Sequence, residues 1–565
     1  MSNERGLRRN LTRYGDDAFS LFLRKAFIKA MGYTDDALDR TIVGIVNTAS
    51  GYNACHRNVP ELVDAVKRGV MLGGALPVDF PVISLHESFA YPTSMYLRNL
   101  MSMDVEEMIR AQPMDAVVLV GGCDKTVPAL LMGAASAGKP AIVVVTGPMS
   151  TGAHRGERIG ACTDCRRLWG EYRAGNIDDE QIAQVTDQLV PSAGTCGVMG
   201  TASTMALMTE AMGMMLPGGA AIPATHADRA RHAERSGRAA VALAERGDTP
   251  ERIMTPASLR NAMRVLQAIG GSTNGLVHLA AIGGRLGIEL DLDEFHEIGR
   301  ATPVLVDLKP SGQHYMEDLY RAGGLTPVLR ELAEDLETDC LTVTGQSLRA
   351  NMDAAAQPWD QNIVRTRRTA IYEGGGMAVL SGTLAPGKAV IKQAAASPEL
   401  LQHKGRAVVF DSLEDLAQRI DRDDLDVQPE DVLVLRNAGP RGAPGMPESG
   451  YIPIPRKLAQ RGVKDMVRIS DARMSGTAFG TIVLHVTPES AAGGPLALVR
   501  DGDGIHLDTA ARKLDLDVPA QELDRRRAAW QPTSHEGSER GYLKLFLEHV
   551  NQADQGCDFD FLRKR

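Results

Sequence analysis

Three stretches, residues 41–46, 116–120 and 141–145, are apolar at consecutive positions rather than at alternate ones. A strand with that pattern must be covered on both faces. Helical patterns at 59–72 and 127–137 separate them, and such alternation dictates a parallel sheet with right-handed crossovers and helices on both sides. The expected first unit is therefore a three-layer α/β domain. Ligands of such sheets gather beyond the carboxyl ends of the strands, so the residues that follow each run carry the functional signal. Cys55 lies in the loop after the first run, and a further strand predicted at 81–85 runs into His86-Glu87-Ser88. The run 116–120 leads into Gly121-Gly122-Cys123-Asp124-Lys125-Thr126. A thiol, a carboxylate and an amine crowded on one turn suit a site better than a core.

At 565 residues the chain exceeds what one hydrophobic core usually supports. Beyond residue 370 the texture changes to short apolar runs at 369–372, 377–380, 389–391, 407–410, 432–435, 466–469, 481–486 and 496–499, divided by Gly and Pro clusters. That spacing predicts a β-barrel or sandwich. We expect an N-terminal α/β domain over 1–370 and a C-terminal β-barrel domain over 371–565. Residues 16–31 have helical spacing of Phe19, Phe22 and Phe27, for the surface or a partner subunit, and the helical tail at 541–550 is expected to fold back. The net charge of −9 argues against nucleic acid or an acidic membrane surface as partner. With no apolar stretch behind its basic first residues, and with the weakly polar segment 199–224 interrupted by Glu210 and Pro217-Gly218-Gly219, the chain is expected to be cytoplasmic.

Seven cysteines are an odd number, which favours metal or redox chemistry over a disulfide framework. Cys55, Cys123 and Cys196, each in a loop at a strand end or a helix start, suggest an iron-sulfur cluster. Three thiolates leave one iron position open for Lewis-acid work. The tighter pair Cys162-Thr163-Asp164-Cys165 lacks the second pair of a zinc site. It also follows what reads as a loop at 147–160, so it ranks below the three isolated cysteines. Glu87, Asp124 and Glu448 are loop carboxylates suited to a hard cation such as Mg²⁺, and Lys125 suits a phosphate or carboxylate clamp. Neither GxxxxGK[ST] nor GxGxxG occurs at these loops, which argues against a kinase or a dinucleotide enzyme. Ser475 has no His–Asp relay in sequence and needs another source of activation.

Five segments in order resemble the iron-sulfur dehydratase family of dihydroxy-acid dehydratase and phosphogluconate dehydratase: 123–129, 194–205, 271–274, the Pro-Gly-Met-Pro-Glu ending at Glu448, and 470–476. The resemblance implies a hydro-lyase with a cluster on Cys55, Cys123 and Cys196, and Mg²⁺ on Glu87, Asp124, Glu448 and a carbamylated Lys125. It further implies catalysis by Ser475, as an alkoxide base at C2, together with Lys125. Residues 91–95, Gly122, 471–474 and the tail 552–559 look more like the sugar-acid branch. That branch implies a pentonate substrate such as L-arabinonate or D-xylonate, a 2-keto-3-deoxy acid product, a 2Fe-2S cluster in preference to 4Fe-4S, and a homodimer or homotetramer. The alternatives are a dehydratase of 2,3-dihydroxyisovalerate or glycerate and, more remotely, a non-catalytic iron-sulfur redox sensor.

Overall fold

The computed structural model describes residues 5–357 and 359–564. Its first sheet contains β1 (Ile42–Asn47), β2 (Leu76–Pro81), β3 (Ala116–Gly121) and β4 (Ala141–Val145), all parallel, in the order β2-β1-β3-β4. Every residue of β3 and β4 is buried, as their unbroken apolar runs require. Helices Val59–Leu72 and Ala227–Arg246 pack together in one covering layer, and Ser94–Ala111 with Thr126–Ala137 in another. One strand differs from expectation: β2 occupies 76–81, not 81–85. Pro77 and Pro81 cannot donate to a ladder, and β2 lies at the sheet edge, where proline is tolerated. Glu87 therefore stands six residues beyond its strand, on an irregular segment.

A short hairpin follows, β5 (Gly152–His154) and β6 (Glu157–Ile159), turning through Arg155 and Gly156, both at positive φ. It leads directly into helix Thr163–Ala174. The segment 147–160 is thus not a plain loop, and the Cys162–Cys165 pair opens a helix after a strand. The hairpin's polar residues hid it, but Gly156 at the turn was a readable signal.

The second half forms an eight-stranded sheet from β7 (Ala378–Leu380), β8 (Ala389–Ile391), β9 (Gln402–Phe410), β10 (Val432–Leu435), β11 (Arg468–Ser470), β12 (Ile482–Leu484), β13 (Gly504–Asp508) and β14 (Lys513–Asp517). The order is β14-β13-β9-β10-β11-β12-β8-β7, and a bridge between Ser381 and Lys513 draws the two edges together, so the sheet is nearly closed. Two expected strands are absent: 369–372 holds the end of a 3-10 turn and one isolated bridge, and 496–499 falls on the 3-10 helix Pro495–Leu498, begun by a proline. The β13–β14 hairpin was missed because it alternates: Ile505, Leu507, Leu514 and Leu516 point inward between polar residues. The tail helix Gly541–His549 does fold back, with Phe546, Val550 and Phe559 buried against Met95, Val277 and Met446. The helix Asp17–Lys29 leaves Phe19, Phe22 and Phe27 exposed. No helix among the described residues is long and apolar enough to cross a membrane.

Candidate active site

The turn after β3 is built by close approach. A Cβ on Gly122 would stand 1.9 Å from Thr146 Oγ1, so only glycine lets the chain pass there. Cys123 follows in the left-handed region, φ 60°, a conformation costing on the order of 1–3 kcal/mol that concentrates at functional sites. His56 ties this turn to the Cys55 loop: Gly122 N–H donates to its Nε2 at 2.9 Å, and Nδ1–H donates to Thr48 O at 2.8 Å. Burial pushes the His56 pKa down to about 4, so it is a neutral strut, and both its nitrogens are engaged. Asn53 donates to Leu85 O at 2.9 Å and accepts from Cys55 N–H, fixing the Cys55 loop against the segment that carries His86 and Glu87.

Two neighbouring nests result. In the soft one, ligand atoms of Cys55, Cys123 and His86 all lie within 4.8 Å of one another. Cys123 Sγ donates to Asp124 Oδ1 at 3.5 Å. The neighbouring Cys123 and His86 pull the Cys55 thiol below its ordinary value, while Cys123 is pushed up by Cys55 and by burial. Cys196 opens on the same cavity, but its Sγ lies 3.8 Å from Cys162 Sγ and outside that trio. In the hard nest, oxygens of Glu87, Asp124 and Glu448 lie within 4.8 Å of one another. Lys125, fully buried, reaches Asp124 at 2.5 Å, Glu87 at 3.1 Å and Glu448 at 3.6 Å. Arg473, also buried, bridges Glu448 at 2.6 Å and Glu87 at 3.3 Å. Thr93 donates to Glu87 at 2.6 Å, and Ser94 donates to it as well.

Burial raises Glu87 and Glu448 alike, while Lys125 and Arg473 pull both down. The pull wins at Glu87, which is held well below the usual carboxylate range, and burial wins at Glu448, which ends above it. Burial and Arg473 also favour the neutral amine at Lys125, but Asp124, Glu87 and Glu448 outweigh them and hold its proton. Desolvation alone therefore does not free this amine.

The second half of the chain supplies the far wall. Asp471 accepts from Ala438 N–H at 3.0 Å and Ser490 N–H at 2.8 Å, and Asn274 donates to Met474 O at 3.1 Å. A Cβ on Gly476 would meet Ser272 at 2.5 Å, so this glycine lets the loop lie flat on the 270–275 segment. Ser475 is thereby held at the cavity, its Oγ 2.8 Å from Thr477 Oγ1 and accepting from Thr477 N–H at 3.4 Å. Among the described residues no histidine or carboxylate hydrogen-bonds to it, in line with the missing relay. The cavity, about 1360 Å³, also exposes Cys55, Cys123, Cys196, Glu87, Asp124 and Glu448. The structure thus brings every expected site residue to one place, with Lys125 buried just behind it. Sequence reasoning gave no role to Arg473, His86 and Cys162. Arg473 stood within the motif 470–476, and His86 stood beside Glu87 at the end of the strand expected at 81–85.

Lys392 lies beneath the same loop, fully buried, with Gly476 O at 3.4 Å and no ion pair among the described residues. Burial pushes its pKa down to about 7. From about 7 up to the unfolded value of 10.5 the unfolded chain binds the extra proton, so this group makes stability rise with pH across that window and leaves it flat below. Chemical unfolding of apoprotein at pH 7 and pH 9 should show the stability gap between Lys392→Met and wild type closing by about 2 kcal/mol. A gap independent of pH would mean that Lys392 stays charged.

Comparison with known proteins agrees with this geometry. The family model for the dihydroxy-acid/6-phosphogluconate dehydratase N-terminal domain matches residues 40–351, and that for the C-terminal domain matches 362–557. The chain is 48% identical to the L-arabonate dehydratase of Azospirillum brasilense over 558 residues, 97% of this chain and 96% of that protein. It is 46% identical to the L-arabinonate dehydratase of Rhizobium leguminosarum bv. trifolii, over 97% of this chain and 95% of that one. The dihydroxy-acid dehydratase of Acetivibrio thermocellus is more distant, at 37% over 94% and 96%.

Proposed function

The chain belongs to the dihydroxy-acid/6-phosphogluconate dehydratase family, and we propose that it is a hydro-lyase acting on sugar acids, with pentonates as first substrates. The observation that carries this reading is the turn Cys123–Lys125. It joins a thiol nest to a carboxylate nest at one cavity that also receives Ser475. The names and identities of the arabinonate dehydratases above support the substrate class.

The donor sets fit two different groups. Thiolates of Cys55, Cys123 and Cys196 suit an iron-sulfur cluster, 2Fe-2S by the branch resemblance. Oxygens of Glu87, Asp124, Glu448 and a carbamylated Lys125 suit Mg²⁺. Charge supports the second assignment. Three carboxylates with Lys125 and Arg473 as cations sum to minus one; adding a divalent cation while turning the ammonium into a carbamate leaves that sum unchanged.

When bound, the cluster and the magnesium supply Lewis acidity at the C3 hydroxyl and at the carboxylate and C2 hydroxyl, respectively. Ser475 takes the C2 proton, its charged form stabilised by Thr477 N–H. Arg473 keeps Glu87 and Glu448 in register, and the cavity walls hold the acid extended between the nests. The C3 hydroxyl departs as water, taking up the proton that Ser475 removed, and the enol becomes a 2-keto-3-deoxy acid. The exposed Phe19, Phe22 and Phe27 face supports a homodimer or homotetramer, and the charge and composition support a cytoplasmic enzyme.

The test is 2-oxo acid formation by anaerobically purified protein on L-arabinonate, D-xylonate, glycerate and 2,3-dihydroxyisovalerate, with a ¹³C-carbon dioxide label to read the carbamate. Pentonate turnover is expected to exceed the others by more than about tenfold, the discrimination available from paired polar contacts to extra hydroxyls. Turnover of 2,3-dihydroxyisovalerate alone would overturn the substrate reading, and absence of a magnesium-dependent carbamate signal would remove that role from Lys125.

A further inference from the structure

Lys392 has no task in the chemistry above, and packing does not explain it. It directly follows β8, whose three residues are all buried, and is itself 1% exposed. An ammonium carries three donors, yet its hydrogen-bond partner among the described residues is one carbonyl, Gly476 O, at 3.4 Å. An apolar residue would fill such a place at lower cost. The place is fixed from both sides. β8 pairs with β12, and beyond Lys392 the chain is tied to the far end of the Ser475 loop: Gly480 N–H donates to Ala395 O at 2.7 Å, and Ser397 N–H donates to Thr481 Oγ1 at 3.2 Å.

The carbonyl that Lys392 meets belongs to the peptide unit between Gly476 and Thr477. The N–H of that same unit donates to Ser475 Oγ at 3.4 Å. A cation on the oxygen of a peptide draws electron density from its nitrogen and makes the N–H a stronger donor, because hydrogen bonds in a chain polarise one another. Both links are long, as catalytic hydrogen bonds often are before substrate binds, and such links tighten in the transition-state complex. No other charge competes. Burial is the one cause that shifts Lys392, down to about 7. On the elements it adjoins, Asp471 accepts from Ala438 and Ser490 N–H, Arg473 pairs with Glu87 and Glu448, Lys388 with Asp293, and Asp465 with Arg468. His485 is held neutral by burial and by Arg473, its pKa down to about 3.

We propose that Lys392 is a positioning residue for Ser475: its ammonium, acting through the Gly476–Thr477 peptide, stabilises the alkoxide that takes the C2 proton. The proposal rests on the reading of Ser475 as the base. A hydroxyl is a competent base only after losing its own proton, so easing that loss raises the fraction of active enzyme. Ser475 releases its proton to solvent in the cavity and then takes the one on C2, while Lys392 keeps its own throughout.

The experiment measures kcat and KM for L-arabinonate between about pH 6 and about pH 10 on anaerobically purified, metal-loaded wild type, Lys392→Met and Lys392→Arg, with circular dichroism to check folding. At about pH 6, Lys392→Met should lower kcat by about tenfold to a hundredfold with KM within about threefold, a smaller loss than the 10²–10³ that follows removal of a donor touching an oxyanion directly. Lys392→Arg, charged at every pH in this range, should recover most of that loss. The ratio of wild-type to Lys392→Met kcat should shrink toward one as pH rises, because the ammonium is lost between about 7 and 10.5. A structural role gives a ratio that does not change with pH. Such a constant ratio, a raised KM at unchanged kcat, or no recovery in a folded Lys392→Arg overturns the proposal. If neither variant folds, wild type decides: a kcat that stays level across the whole range overturns it. Ser475→Ala assayed alongside separates the two readings. If that variant is inactive while Lys392→Met equals wild type, this proposal alone fails; if Ser475→Ala stays active, the base reading fails and takes this one with it.

Discussion

Ser475→Ala lowers 2-oxo acid formation by about 10³-fold or more while iron content and circular dichroism stay at wild-type levels, the loss expected for removing a positioned general base. The structure makes this a clean test. Ser475 is only partly buried, and the partners of its hydroxyl among the described residues are Thr477 Oγ1 and N–H. The backbone conformation of its loop is set elsewhere, by Asp471 on Ala438 and Ser490, by Asn274 on Met474, and by the seat of Gly476 on Ser272. Removing one oxygen leaves all of those contacts in place. The drop should appear in kcat with KM little changed, because the proton transfer is felt in the transition state and not in the bound acid. Activity within tenfold of wild type would transfer the base role to another group.

Cys123→Ser empties the soft nest. Iron and sulfide per chain should fall by more than about tenfold, and turnover should fall to background, because a hydroxyl is a poor substitute for a soft thiolate. The replacement is nearly isosteric, and serine accepts the left-handed φ of 60° about as well as cysteine does, so the fold should survive. Asp124 and Lys125, the next two residues, stay in the hard nest. Isothermal titration should therefore still detect magnesium binding to a protein without iron. Loss of both metals together would show that the two nests form only as one unit. Cys340→Ser is the control: that thiol lies away from the cavity and should change neither metal.

Legibility from sequence followed the strength of the burial demand. β4 lies where its unbroken apolar run predicted it, and β1 and β3 each within a residue, because a strand buried on both faces leaves no room for polar residues. β2 slipped by five residues because an edge strand tolerates Pro77 and Pro81, which in sequence read as boundaries. The half-exposed β13–β14 hairpin gave only a short alternating pattern, weaker than the apolar run at 496–499 that proved to be a 3-10 helix. At the site, residues on strand-end turns were legible singly: Cys55, Cys123, Asp124 and Lys125. Glu448 and Ser475 became candidates through the loops and motifs around them, and Glu87 through a strand expected at 81–85 that in fact ends at Pro81. Their distances to one another were not legible, since they are separated by up to several hundred positions.

The sequence by itself determined the parallel sheet, the crowded turn at its carboxyl edge, the barrel-like second half and the family, because each follows from local composition or from motifs in fixed order. Only the tertiary structure decided how charge and sulfur are paired. Arg473 lies between Glu87 and Glu448, the carboxylates hold the proton on Lys125, and Cys162 reaches Cys196. The physical reason is that electrostatic and metal-ligand interactions depend on separations of a few ångströms in a dry interior. Those separations are fixed by how a hairpin, an irregular segment and a barrel loop pack against one turn, and no local stretch of sequence encodes them.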